Sequence, residues 1–295
     1  MPVLQESVVE ELLPTRYDLT LSDVTFRDLR DFVYQKTGIF FQDKKKYLLE
    51  GRLGKRVQML NLDGFESYLH FLKYGQEREG EMQFLHDAVT INETFFFRNP
   101  PQLNALETSL IPRIVDTRKN GWAPRIRIWS AACSSGEEPY SLAILFLEKL
   151  KPAYPGLSME IIGTDISPSA LTKARRGIYS EYSVRNTPEE YLEKYFVRED
   201  DKYQLVDEVK KVVMFHHLNL FNRNEVQTMK TFDFILCCNV LIYFDLKSKI
   251  QVIGDLYNSL AHGGHLFVGY AEVLHGISSA FKVVNFPKTI AYRKE

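Results

Sequence analysis

Cysteine is scarce in this chain, and none is spaced to hold a metal: the three are Cys133, Cys237 and Cys238. Neighbours Cys237 and Cys238 make a poor disulfide, and no CxxC or Cys/His cluster points to zinc, so a reducing cytoplasm is the expected location. An excess of either charge is missing too. Lysine plus arginine is 37 against 38 for aspartate plus glutamate, which leaves no global basic field to gather nucleic acid. No apolar run approaches the roughly 20 residues needed to span a bilayer, which argues against membrane insertion. The opening MPVLQESVVEELLP is acidic and has no basic region ahead of an apolar core, so no signal peptide is read there. Repeats and low-complexity tracts are also lacking. What is present is a 295-residue chain, 45% hydrophobic and 25% charged, enough for one large soluble domain or two modest ones.

The chain changes grammar near its first third. Residues 1–88 read as a small helical domain. Ser22 or Asp23 can cap a helix over TFRDLRDFVYQKT, with Gly38 as its stop. A second helix, KKKYLLEGRLGKRVQML, places Leu49, Leu53, Val57 and Leu60 on one stripe. Lys45, Arg52 and Arg56 share another face. That face is either a solvated surface or a docking site for an acidic helix, and composition does not choose.

Residues 89–98 form a linker, and residues 99–295 alternate strands with helices, the pattern of a doubly wound α/β sheet of about seven strands. RIRIWSA leads into a loop and the helix EEPYSLAILFLEKL. MEIIGTD is followed by Ser167 as N-cap, Pro168 at the first helical position and Gly177 as terminator. Residues 178–212 interrupt the alternation and read as an inserted antiparallel β-subdomain. KVVMFHHLNL and FDFILCCNVLIYF resume it, Asp245 caps a helix with a stripe of Ile250, Ile253, Tyr257 and Leu260 ended by Gly263 and Gly264, and HLFVGYAE and TIAYR close the sheet.

An open α/β sheet binds its ligand outside the carboxyl ends of its strands, where strand order reverses. Asp165, Asn219 and Asn239 follow apolar strands and belong there, with Asp165 the expected acceptor for ribose hydroxyls or, alternatively, a turn residue. The first loop, WSAACSSGEEPYS, carries a single glycine and then Glu137 and Glu138. A dinucleotide pyrophosphate needs backbone N–H groups, usually through GxGxxG, and two carboxylates repel phosphate. S-Adenosylmethionine has a ribose and a cationic amino-acid end but no phosphate, so the acids favour it over NAD; the alternative is that they decorate a helix start.

NETFFFR (92–98), RIWSAACSSGEEPYSLAI (127–144), GTDIS (163–167), ARRGIY (174–179), LNLF (218–221) and CNVLIYF (238–244) together resemble the bacterial chemotaxis receptor methyltransferases of the CheR family, over nearly the whole chain. The resemblance implies a class I, Rossmann-like methyltransferase domain that moves methyl from S-adenosylmethionine to glutamate side chains of chemoreceptors, giving glutamyl methyl esters. It implies Asn92, Thr94, Arg98, Glu138, Asp165, Asn219, Leu220, Asn239 and Val240 around the cofactor, with Arg98 and Tyr243 nearest the transferred methyl. It implies docking of a helical, cytoplasmic receptor region on the basic helix through Lys46, Arg52 and Arg56. Family members that grip a receptor's C-terminal pentapeptide carry a glycine-containing insertion in the β-subdomain. This chain has no glycine between Gly177 and Gly254, so a tether is not expected. One departure is Cys238, where members often have arginine before the asparagine. A methyltransferase acting on RNA or a small molecule, and a cofactor-binding module without catalysis, are the competing readings.

Overall fold

The computed structural model describes residues 19–118, 124–229 and 231–295. The reading of the first eighteen residues lies outside this range. Four helices come first: α1 (Asp23–Thr37), α2 (Lys46–Met59), α3 (Phe65–Tyr74) and α4 (Arg78–Val89). Ser22 caps α1 by accepting the Thr25 N–H, and Gly38 ends it at φ 73°. Leu49, Leu53 and Val57 are fully buried among Phe26, Leu29, Val33 and Tyr68, the core of this domain. Leu60, expected on the same stripe, is only half-buried because α2 has already ended at Met59.

The remainder is one seven-stranded sheet, in the order β6–β2–β1–β7–β8–β10–β9. Its strands are β1 (Arg125–Ala131), β2 (Ser158–Asp165), β6 (Val213–His217), β7 (Phe232–Cys237), β8 (Leu260–Val268), β9 (Phe281–Phe286) and β10 (Thr289–Lys294). Strands β6, β2, β1, β7 and β8 are parallel, and β10 runs antiparallel to both its neighbours. Strand β7 is buried along its whole length, as a central parallel strand covered on both faces must be. A three-stranded antiparallel sheet of β3 (Ile178–Ser180), β4 (Phe196–Glu199) and β5 (Lys202–Leu205) forms the inserted subdomain. This is a class I, Rossmann-like sheet with a helical N-terminal domain, as expected. Among the described residues no helix is long and apolar enough to cross a membrane.

Two expectations need correction. The helix capped by Asp245 runs Leu246–Ser259 and stops without a glycine; Gly263 and Gly264 lie inside β8. Its buried face is set by Val252, Ile253 and Leu256, while Ile250 is 48% exposed. The stretch 232–244 is a strand only as far as Cys237, so Asn239 follows it as expected, and Leu241–Tyr243 is a short 3-10 turn.

The order of strands reverses between β1 and β7, so a crevice opens there, above their carboxyl ends. The helical domain roofs it. From α1, the Lys36 carbonyl accepts the Asn219 amide at 2.7 Å, and Tyr34 donates to Asp245. Just beyond α1, the Phe40 N–H donates to the Tyr243 carbonyl at 3.0 Å and Ile39 bridges Phe244. From α4, Asp87 accepts the Ser167 hydroxyl and the Ser169 N–H, and His86 stacks on His217.

Candidate active site

All ten residues expected near the cofactor and the transferred methyl line one cleft under this roof. Asn92, Thr94 and Arg98 come from the linker; Glu138 and Asp165 from the first two βα connections; Asn219, Leu220, Asn239, Val240 and Tyr243 from the later strand ends. Thr37 and Ile39 from the helical domain and Thr90 and Ile91 from the start of the linker add a wall that sequence reasoning did not place there.

The floor is the loop after β1. Ala132 and Ser134 sit at φ 58° and 51°, left-handed values that ordinary residues adopt at a cost of about 1–3 kcal/mol. Two contacts hold this conformation. The Ser134 N–H donates to Asp165 Oδ2 at 2.8 Å, and the Cys133 N–H donates to the Thr164 carbonyl at 2.8 Å. Gly136 follows at φ 92°, where a Cβ would lie 2.9 Å from that of Ala174 and 3.1 Å from Phe215. Backbone conformation and close packing therefore demand this glycine, and no phosphate is needed to explain it.

The paired acids separate. Glu137 is buried, accepts from Ser135, and does not line the cleft. Glu138 is half-buried on the cleft wall, with Oε1 accepting from the Ser130 hydroxyl at 2.6 Å. Burial pushes its carboxyl up, opposed by hydrogen bonds from Ser130 and Cys238 and by the Arg98 charge. Asp165 is pushed up by burial as well, against backbone N–H groups of Ser167, Ser134 and Ile166. Oδ2 accepts the Ser134 N–H and Oδ1 the Ser167 N–H, both at 2.8 Å, and each oxygen keeps acceptor capacity toward the cleft. Within reach lies the Ser134 hydroxyl, buried and without a partner among the described residues. These groups fit a ribose: two acceptors and a hydroxyl with an unused hydrogen bond.

The linker is rigidly tied. The Phe96 N–H donates to the Ser183 carbonyl and the Phe97 N–H to Ser141 Oγ, both at 2.9 Å, with Phe97 at φ 53°. These bonds aim Arg98 into the cleft, where its guanidinium donates to the Glu93 carbonyl at 2.7 Å and lies 5.5 Å from the Phe95 ring centre. Tyr243 is half-buried on the facing wall. Burial pushes its phenol up, opposed by the charges of Arg98 and Arg52, so it is protonated at neutral pH.

Some expected residues hold the protein together. The Asn219 amide donates to the Lys36 carbonyl and accepts the Phe221 N–H at 3.0 Å, so both ends have protein partners. On α2, Arg56 is not a free surface base: it makes a bidentate pair with buried Glu81 and lies 3.7 Å from the Phe84 ring centre. Lys46 pairs with Asp23 at 2.6 Å on the exposed surface, and Arg52 donates to the Val89 carbonyl at 3.1 Å beside the linker. Glu272, which sequence reasoning overlooked, accepts three backbone N–H groups under the Asn239–Tyr243 wall. Among the described residues no cluster of metal-binding side chains occurs.

Residues 92–290 match the family model for the SAM binding domain of CheR methyltransferase, and residues 25–90 match that for its all-alpha domain. Chemotaxis protein methyltransferase 2 of Vibrio cholerae is 42% identical over 278 residues, covering 94% of this chain and 95% of that one. A chemotaxis protein methyltransferase of Borreliella burgdorferi is 35% identical over 247 residues, 83% and 86% of the two chains. One from Vibrio parahaemolyticus is 35% identical over 279 residues, 93% and 98% of the two.

Proposed function

This chain belongs to the CheR methyltransferase family and is an S-adenosylmethionine-dependent methyltransferase; from that premise we propose that it esterifies glutamate side chains of chemoreceptors. The observation that carries the proposal is the meeting of Arg98, Tyr243, Glu138 and Asp165 in one cleft across the switch in strand order. Carboxylates on one wall suit a cationic donor, and a guanidinium facing a protonated phenol suits an anionic acceptor.

When bound, S-adenosylmethionine supplies an electrophilic methyl on a sulfonium. Asp165 as acceptor and Ser134 as donor would hold the ribose hydroxyls, and Glu138 would serve the cationic end. An acceptor glutamate, of ordinary pKa about 4.3, is already ionised near neutral pH and would take the methyl without a base, the S–CH3 bond breaking as the O–CH3 bond forms and S-adenosylhomocysteine leaving as a neutral thioether. Because a carboxylate meeting a sulfonium would cancel charge, excluding water would favour the reaction, and the helical roof would serve that exclusion. In-line positioning supplies much of the remaining acceleration. Arg98 screens the incoming carboxylate while already held by the Glu93 carbonyl, which keeps it from gripping the nucleophile too tightly. The Tyr243 hydroxyl donates to orient one reactant. Receptor docking would use Lys46 and Arg52, with β4 left free of a pentapeptide tether, in the cytoplasm.

The test is methyl transfer from tritiated S-adenosylmethionine to receptor-bearing membranes. Label on the receptor band that alkali releases as methanol is expected. Label that resists alkali, or that appears on RNA or a small molecule instead, would overturn the carboxyl assignment; cofactor binding with no transfer to any fraction would favour the non-catalytic reading.

A further inference from the structure

The wall that carries Tyr243 is pinned to the core by Leu241, 2% exposed, but the phenol itself is not. The wall begins at Asn239, which adopts φ 61°, passes Val240, and ends in the 3-10 turn Leu241–Tyr243. The Tyr243 phenol has no hydrogen bond among the described residues, so the position of its ring is inherited from the backbone beneath it. Behind that backbone lies Glu272, 6% exposed. Its Oε2 accepts the N–H groups of Asn239 and Gly269, both at 2.7 Å, and its Oε1 accepts the Ile242 N–H at 3.2 Å. One carboxylate therefore joins three points: Asn239 (two residues past the end of β7), the residue preceding Tyr243, and the residue leaving β8.

Gly269 is shaped to this arrangement. A Cβ there would lie 2.7 Å from Glu272 Oε2, 2.8 Å from the Asn239 nitrogen and 3.0 Å from the Asn239 amide. Backbone N–H groups left buried without an acceptor are costly, and a carboxylate is the side chain that satisfies several donors at once without donating in return. No lysine or arginine among the described residues pairs with Glu272, so backbone donors are what meets its carboxylate.

We infer that Glu272 is a positioning residue for methyl transfer: it clamps the backbone from Asn239 to Ile242 and so fixes where the Tyr243 hydroxyl points. The inference rests on the proposed place of Tyr243 beside the transferred methyl, and it acts through that residue rather than by touching either reactant.

Two measurements test it. In the first, 3-fluorotyrosine replaces Tyr243 and its fluorine resonance is recorded in the parent, in Glu272→Gln and in Gly269→Ala. Glutamine keeps the shape but turns a donating amide toward backbone N–H groups, and alanine intrudes on the same oxygen. Both variants are expected to shift or broaden the resonance. An unchanged resonance in both overturns the clamp. In the second, turnover at saturating cofactor is compared in a double-mutant cycle. Glu272→Gln is expected to lower kcat about tenfold in the parent, the scale of one hydrogen bond to a charged group, but less than about threefold once Tyr243→Phe is in place. Losses that multiply show that Glu272 does not act through Tyr243. If Glu272→Gln does not fold, Gly269→Ala carries both measurements. If Tyr243→Phe keeps full turnover, the proposed role of Tyr243 fails on its own, while the fluorine resonance still decides whether Glu272 sets its position.

Discussion

Replacing Arg56 with alanine leaves the Glu81 carboxylate, 3% exposed, facing the core of the helical domain without its cation. Arg56 now gives it three contacts: Nε to Oε1 at 3.0 Å, Nε to Oε2 at 3.1 Å and Nη2 to Oε2 at 2.6 Å. The Tyr68 hydroxyl donates to Oε1 at 2.7 Å and remains after the change. Removing one partner of a buried pair costs about 3–5 kcal/mol because the other charge is left uncompensated. Loss of the guanidinium from the Phe84 ring adds ~0.5–1 kcal/mol. The surviving Tyr68 bond pulls the other way, so about 3 kcal/mol is expected. For a chain of this size that lowers Tm by roughly 6–12 °C. Urea unfolding followed by far-UV circular dichroism, in Arg56→Ala and in Arg56→Met with Glu81→Gln, provides the assay. The double variant should recover most of the loss, since a glutamine side chain can still accept from Tyr68 without carrying a charge. A loss under about 1 kcal/mol in the single variant, or a double variant as unstable as the single one, would refute the reasoning. The same geometry warns that charge reversal at Arg56 tests folding before it tests receptor docking; Arg52 and Lys46 are the cleaner sites.

Other expectations follow from the cleft and its roof. Asp165→Ala and Glu138→Ala should each weaken S-adenosylhomocysteine binding by about 10- to 100-fold by calorimetry, the worth of one or two hydrogen bonds to a charged group; unchanged affinity in both would remove these acids from the cofactor site. His86, pulled down to about 4 by burial and by neighbouring His217 against the charge of Asp87, binds its proton more readily once unfolded. Its contribution is therefore fully present above about pH 6.5 and is lost as pH falls toward 4. The difference in unfolding free energy between the parent and His86→Leu should change over that window, and a pH-independent difference would count against a buried neutral His86.

Local signals were legible and distant ones were not. Ser167, Pro168 and Gly177 announce a helix because cap, first-turn proline and left-handed stop act within a few residues, and the helix Pro168–Arg176 is what forms. Asp165 could be placed because strand ends in a parallel sheet share one edge. The GEEP acids could not be told apart by sequence: which one faces the cleft depends on the pitch of the helix after a glycine at φ 92°. The left-handed Ala132 and Ser134 carry no glycine signature, since contacts with Thr164 and Asp165 impose their conformation. Pairings such as Arg56 with Glu81, or Asn219 with the Lys36 carbonyl 183 residues away, exist only after the chain has folded. The stripe in the helix Leu246–Ser259 is misplaced by sequence reasoning because its supposed stop glycines belong to the following strand.

The N-terminal helical unit contributes to the chamber at two places, Thr37 and Ile39 where its first helix ends and Thr90 and Ile91 just after its last. The unit is thus no detachable adaptor bolted beside a self-sufficient catalyst. Grafting it from a relative would also exchange part of the chamber itself, so any change in partner choice would arrive together with a change in turnover.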